Sequence, residues 1–289
     1  MKPPIPIDVF IPHWNRAERC GATIDALLAQ VLPVRITILD NASRPSELER
    51  LAAIVDTRAA IQPLTQNLGF GPAANVGLRT WLATNGGAFA VIAAHDAEAR
   101  PDCLKALVQA MEQHPHAGIV SAVSGFPHAA RLSGHRGPWL PAHPVGAGFE
   151  AQDFPHGTLL MVRRDCIRDI GVFDERFFAY GCEMELGLRA RRAGWVVGVS
   201  WDAVVGNPER SIPSAVASYL QVRNAIVIVR EWNGVGWAVF RSLASCLNTV
   251  RLALVASRRP SAFSVAARFR AVRDAWTRRM GPPPSVIER

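Results

Sequence analysis

Residues 88–98 read AFAVIAAHDAE: seven apolar residues followed closely by two acids. A run with no polar face fits a strand buried on both sides, as strands are inside a parallel sheet. Asp96 and Glu98 then fall at the carboxyl end of that strand, the edge where such sheets bind ligands. Two carboxylates two residues apart repel unless a cation sits between them. Mg2+ or Mn2+, held by one or two carboxylates and by ligand phosphates, is the natural filling. A solvated loop also produces Asp-x-Glu, so the flanking sequence has to decide.

Working outward, strand and helix patterns alternate. IDVFIP (7–12) is a strand closed by Pro12, and the helical spacing of Ile24, Leu27, Leu28 and Val31 runs up to Pro33. RITILD (35–40) is a second strand, ended by the turn DNASRPS, and Leu48, Leu51 and Ile54 mark a helix. AANVGLRTWLA and CLKALVQAMEQH are helical on either side of the 88–94 strand. This alternation predicts a doubly wound α/β half over residues 1–120. Residues 121–155 show no period and are expected to be irregular, with Phe126, Trp139 and Phe149 shaping ligand specificity. GTLLMVRRDCIRDIG, EMELGLRARRAGW and VVGVSWDAVV then return strand, helix and strand up to about residue 210.

The loop QNLGFGPAANVG (66–77) sets Gly69, Gly71 and Ala74 at the spacing of a dinucleotide fingerprint. A true fingerprint follows its strand at once and opens the domain, so that the helix N-terminus meets the pyrophosphate. Here Pro63 and residues 65–68 intervene, in the third strand–helix unit of the chain. A nicotinamide or flavin cofactor is therefore not expected.

Composition excludes several classes. With 49% apolar and 19% charged residues the chain is globular and not disordered. Five scattered cysteines without a C-x-x-C pair argue against a disulfide framework or a zinc site. Pro3, Pro4, Pro6 and Asp8 break any signal-peptide core, so a cytoplasmic protein is expected.

The net charge of +8 belongs to one end: from residue 211 onward there are twelve arginines against three acids, a net +9, leaving about −1 for residues 1–210. Three helical patterns fill 211–289. Arg241 and Arg251 interrupt the most apolar one, at roughly 3 kcal/mol per mid-bilayer arginine. A basic amphipathic extension on an anionic membrane surface is expected from this, with ordinary packed helices as the alternative. No aromatic stacking platform accompanies the arginines, so no nucleic-acid partner is expected.

Taken together, IPHWNR, LDNAS, NLGFGPAANVG, HDAE and FDERFFAYGCEMELGLRARRAGW resemble, in order, the motifs of the family 2 inverting nucleotide-sugar glycosyltransferases, in particular the rhamnosyltransferase-like members. The resemblance covers about residues 7–205. It implies the A-type glycosyltransferase fold, a Rossmann-like, mostly parallel sheet flanked by helices, carrying here a C-terminal basic helical extension. It also implies a divalent cation, Mg2+ or Mn2+. Residues 1–210 would form the catalytic domain, with a nucleotide-binding half (1–120) and an acceptor half (121–210).

By the same resemblance, Pro12, Asn15 and Arg16 wall the nucleotide. Asp40 reads its base, favouring UDP or dTDP donors, although Asp40 also reads as a turn-forming residue. Asn67, Gly69 and Asn75 belong to a loop whose glycines let the backbone approach the donor. His95 stands where the family has a ribose-facing acid, Asp96 is the metal ligand with Glu98 in support, and Glu183 is the general base. Glu183 also suits a helix N-terminus on dipole grounds. Glu185 points about 200° away from it and four residues before Arg189, as a helix-face ion pair would. Cys182 replaces a family Glu, and no His follows DAVV. A sugar transferase acting on a glycan or lipid-linked acceptor at the inner membrane face is expected; a catalytically inactive nucleotide-sugar-binding scaffold is the alternative.

Overall fold

A computed structural model describes residues 5–124, 128–130, 142–144, 146–207 and 214–288, apart from residues 56, 85, 256, 258 and 260–262. Strands β1 (Ile7–His13), β2 (Val34–Asp40), β3 (Ala60–Pro63) and β4 (Phe89–Ala93) are parallel, in the order β3-β2-β1-β4. Helices α1 (Ala17–Leu28), α2 (Pro45–Val55) and α3 (Phe70–Ala83) connect them. Pro63 ends the edge strand β3, where its missing N–H costs no ladder bond.

After β4 come β5 (Glu98–Ala99), α4 (Cys103–Gln113), β6 (Ala117–Ser124), the pair β7 (His128–Ala130) and β8 (Ala142–Pro144), β9 (Phe149–Ala151), β10 (Leu159–Arg163), α5 (Arg164–Ile170), α6 (Cys182–Arg192) and β11 (Val196–Gly206). The sheet continues β4-β10-β6-β11-β5. Strand β10 is antiparallel to both its neighbours, while β6 and β11 are parallel to each other. The sheet is thus parallel except at β10 and the short β5 and β9. Of the segment expected to be irregular, residues 121–124 finish β6 and residues 149–151 form β9; Phe126 and Trp139 lie outside the described residues.

Burial explains the uninterrupted apolar runs. Phe10, Leu78, Ile92 and Leu160 belong to a core on one face, and Val9, Ile11, Val91 and Met161 to a core on the other. Each fully buried Leu, Ile or Phe contributes about 2 kcal/mol. The first core also takes in Tyr219, Leu220 and Ile228 of α7 (Ser214–Asn233), Ala238 of α8 (Val235–Leu254), Ala271 of α9 (Val265–Trp276) and Ile287 of α10 (Ser285–Glu288). α7 is therefore a buried helix and not a surface-lying one. Even its Arg223 is fully buried, donating to Asn224 Oδ1 at 2.9 Å beside the Tyr219 ring.

Candidate active site

The β1–β2 register sets His13 opposite Asp40. Their Nδ1 and Oδ1 atoms lie 2.9 Å apart and both side chains are buried. The Arg16 backbone N–H donates to His13 Nε2 at 3.2 Å, which leaves the imidazole proton on Nδ1, directed at Asp40. Ser43 adds its hydroxyl to Oδ1 at 2.5 Å and its N–H to Oδ2 at 3.2 Å. Burial pushes the Asp40 carboxyl up, but the hydrogen bonds from His13 and Ser43 outweigh it and hold the group below its ordinary range. The loops after both strands turn sharply: Asn15 and Ala42 have φ of 51° and 54°. They are tied together by Asn15 N–H to Ser43 Oγ (2.9 Å) and Arg44 N–H to Asn15 Oδ1 (2.8 Å). Arg16, just before α1, is exposed.

The glycine loop is held from both sides. Asn41 accepts from Leu68 N–H at 3.0 Å and donates to the Gly69 carbonyl at 3.3 Å, and Asn67 accepts from Gly69 N–H at 3.0 Å. Gly69 has φ 88°, and a Cβ there would stand 1.9 Å from the Phe178 carbonyl oxygen. The side of Gly69 on which a Cβ would stand is thus occupied by Phe178. Asn75, expected at or near the pocket, is fully buried as a clamp on residues 173–175. It donates to Phe173 O (2.9 Å) and Glu175 Oε1 (3.1 Å) and accepts from Phe173 N–H (2.9 Å).

At the end of β4, His95 Nδ1 lies 3.4 Å from the Pro12 carbonyl and its ring meets His13 edge-on. Burial pushes the His95 imidazole down to about 4 against the opposing pull of Asp96, so it is neutral near pH 7. Asp96 is only 7% exposed, whereas Glu98 is exposed and 3.9 Å from Arg19. The two acids therefore have different surroundings. Where the sequence lacks a His after DAVV, Asn207 brings its amide to 3.4 Å from Asp96 Oδ1 and 3.5 Å from Thr158 Oγ1.

Glu183 sits in the first turn of α6 and accepts the Cys182 thiol at 3.0 Å. Its Oε1 lies against Gly157, where a Cβ would be 3.2 Å away. Neighbouring His156 is pushed down by burial, which Glu183 opposes. Glu183 thus lies against Gly157, while Asp96 is linked to the adjacent Thr158 through the Asn207 amide, and the Thr158 carbonyl accepts the Ala94 N–H (2.8 Å) just past the end of β4. Glu185 faces away, in a bidentate pair with Arg189 at 2.7 and 3.0 Å.

The turn before α6 is left-handed at Tyr180 (φ 58°) and Gly181 (φ 86°). Asn224 of α7 pins it by donating to Ala179 O (2.9 Å) and Tyr180 O (2.5 Å). Sequence reading missed Asn41, His156, Thr158, Asn207 and Asn224, whose roles depend on contacts distant in sequence. Phe149, expected to shape acceptor specificity, stacks on His114 at 4.4 Å.

The chemistry available is one buried carboxylate (Asp96) beside the Asn207 amide, a second carboxylate (Glu183) against Gly157, and a turn-bound carboxylate (Asp40) at the end of β2, with β1 between it and β4. Among the described residues no group of three or more His, Cys, Asp or Glu could cage an ion. A cation held by one carboxylate and by ligand phosphates needs no such cage, and the hard oxygen donor Asp96 fits one.

Known proteins resemble this chain in sequence and in fold. Residues 8–171 match the family model for glycosyl transferase family 2, and residues 91–267 match that for glycosyl transferase family group 2. N-acetylglucosaminyl-diphospho-decaprenol L-rhamnosyltransferase of Mycobacterium tuberculosis is 28% identical over 215 residues, 64% of this chain and 68% of that protein. The crystal structure of GalNAc-T7 with UDP, GalNAc and Mn2+ superposes with a TM-score of 0.66 at 13% identity, covering 95% of this chain and 55% of that one. Mannosyltransferase PcManGT from Pyrobaculum calidifontis, in complex with GDP-Man and Mn2+, gives 0.62 at 17% identity, covering 96% and 89%. These two share the fold. The mixed sheet and the matched residues lead to one assignment: the chain belongs to glycosyl transferase family 2.

Proposed function

We propose that this glycosyltransferase moves a sugar, with inversion, from a UDP- or dTDP-linked donor to a hydroxyl of a glycan or lipid-linked acceptor. The observation that carries this reading is the wall His156-Gly157-Thr158, bordered by Asp96 through Asn207 and by Glu183 directly. Two carboxylates on one short segment suit the two ends of a displacement, one at the leaving diphosphate and one at the incoming alcohol.

In this reading Glu183 takes the proton of the acceptor hydroxyl as its oxygen attacks the anomeric carbon from the face opposite the diphosphate. A single displacement inverts that carbon. Asp96, with Glu98 as outer support, would hold Mg2+ or Mn2+, which would supply positive charge for the leaving diphosphate. The exposed Arg16 and the polar turn of Asn15 form the nucleotide wall with Pro12. Asp40, kept ionised by His13 and Ser43, is an acceptor only and is assigned to the imide N–H of uracil or thymine. Neutral His95 is assigned a hydrogen bond to the ribose. Residues 1–210 are assigned to catalysis. The exposed arginines of 211–289, such as Arg251, Arg259 and Arg279, are assigned to an anionic surface, the inner face of the plasma membrane, where a lipid-linked acceptor lies.

Glu183→Gln tests the reading. Transfer should fall by at least about a thousandfold while nucleotide-sugar binding, followed by thermal shift with UDP-, dTDP- and GDP-sugars with and without Mn2+, stays intact. Unchanged turnover removes Glu183 from the base role. Nucleotide binding by the wild type without transfer under any metal condition would instead favour the inactive scaffold.

A further inference from the structure

We infer that the solvent-facing side of α8 is a membrane-inserting surface, lying in the plane of an anionic bilayer with its apolar stripe among the acyl chains. α8 buries Ala238, Ser242, Thr249 and Leu252 against its neighbours. That seat is fixed by Trp276 Nε1 donating to Ser242 Oγ at 3.0 Å and Arg268 Nε donating to Thr249 Oγ1 at 2.8 Å. At 3.6 residues per turn, Val239, Phe240, Leu243, Leu247, Val250 and Leu254 fall on the opposite side, within an arc of about 100°. All six are exposed, Leu247 by 71% and Leu254 by 80%. No polar side chain falls inside that arc. Scattered exposed apolar residues are ordinary on a protein surface, but a continuous stripe of six marks an interaction face.

Charge identifies what covers it. α8 carries no acid; of its two arginines, Arg251 is exposed about 20° from the edge of the stripe, whereas Arg241 is half-buried farther round the helix. In the surrounding 211–289 segment two of the three acids are already paired, Glu231 with Arg176 and Asp274 with Arg273 and Arg270. A second copy of the chain seated on this face would bring the excess cations against their own equivalents, whereas anionic headgroups answer them. An apolar stripe flanked by arginine is the pattern of a helix held at a lipid interface, by area and by headgroup attraction together. Among the described residues no helix is long and apolar enough to cross a membrane, which leaves α8 along the surface.

The choice of lipid as occupant rests on the peripheral placement proposed above, but the test reads vesicle partition and not turnover, so its failure leaves the transfer reading standing. The full chain is floated with phosphatidylcholine vesicles and with vesicles containing about a third phosphatidylglycerol. Wild type should rise with the anionic vesicles in a salt-sensitive manner. Leu243→Glu with Leu247→Glu should lose at least about tenfold of that partition, with unchanged melting and nucleotide-sugar binding. Leu247→Gln, a gentler change on a largely solvent-facing position, should lose part of it. Absence of flotation at low salt, or equal partition of the double variant, overturns the proposal. So does a wild-type dimer that the double variant converts to monomer without any vesicle binding, since the face would then belong to a second copy.

Discussion

The Cys182 thiol donates to Oε2 of Glu183 across 3.0 Å, while Oε1 of the same carboxylate faces the bare α-carbon of Gly157. A thiol stands where the family pattern has a carboxylic acid, and burial keeps that thiol protonated as a donor. Glu183 is thereby aimed from one side and given room on the other.

Gly157→Val should fill that room. The nearest atoms to a Cβ at this position are all in the Glu183 side chain, 3.2 to 3.6 Å away, so the carboxylate is what must yield. The expected result is at least a tenfold fall in kcat, about 1.4 kcal/mol in the barrier, with donor affinity and melting temperature little changed. Steady-state rates with parallel donor binding decide it; an unmoved kcat would mean that the carboxylate does not act from this position.

His95 gives a pH signature. Its folded imidazole titrates at about 4, below the ordinary 6.5. Between those values the unfolded chain takes up a proton that the folded chain refuses. The associated stability is therefore complete above 6.5 and is lost as pH falls toward 4. At about 1.4 kcal/mol per pH unit the ceiling is near 3 kcal/mol, reduced in practice by the ring's remaining contact with water. The Asp40 carboxyl, held low by His13 and Ser43, contributes in the same direction but loses its share only below the ordinary carboxylate range. Denaturant midpoints from pH 7 to 4.5 should fall more steeply for wild type than for His95→Asn. Parallel slopes would mean that the imidazole is charged in the folded protein.

Much of the fold is legible in the chain because strands buried on both faces must be apolar throughout, as AFAVIAA is, and because Pro33, Pro63 and Gly194 punctuate the helices and strands. What is not legible is direction and distance. LLMVR reads alike whether β10 runs parallel or antiparallel, and only the finished sheet shows that it runs against β4 and β6. The Asp96 and Glu183 positions stood out through motif order. In the glycine loop the sequence does not show that Phe178 and Phe173, about a hundred residues away, pack beside Gly69 and Gly71. Spacing within a motif carries no information on which distant segment will occupy it.

The C-terminal helices reach the site through Asn224. Its amide satisfies two carbonyls of a turn whose Tyr180 and Gly181 are both left-handed, immediately before α6. Asn224→Ala strands those carbonyls and should cost about 1 to 3 kcal/mol. Because the turn sets where α6 begins, kcat should fall more than donor affinity. Equal losses in both, or neither, would detach the turn from Glu183.

Gly69 and Gly194 separate two reasons for a glycine. Both have strongly positive φ, 88° and 92°. A Cβ on Gly194 meets nothing within 4 Å, so Gly194→Ala should cost only the left-handed penalty, roughly 1 to 2 kcal/mol. A Cβ on Gly69 would lie 1.9 Å from the Phe178 carbonyl oxygen and 2.6 Å from its carbon, backbone that cannot swing aside. Gly69→Ala must also disturb the 2.7 Å bond from Phe70 N–H to that same oxygen. Its loss should exceed that of Gly194→Ala by several kcal/mol, and weakened donor binding should accompany it as the loop leaves the end of β2. Urea midpoints of the two variants measure the difference directly. Equal shifts would mean that backbone conformation alone selects the loop glycine, and that the segment leading to Glu183 is not seated on it.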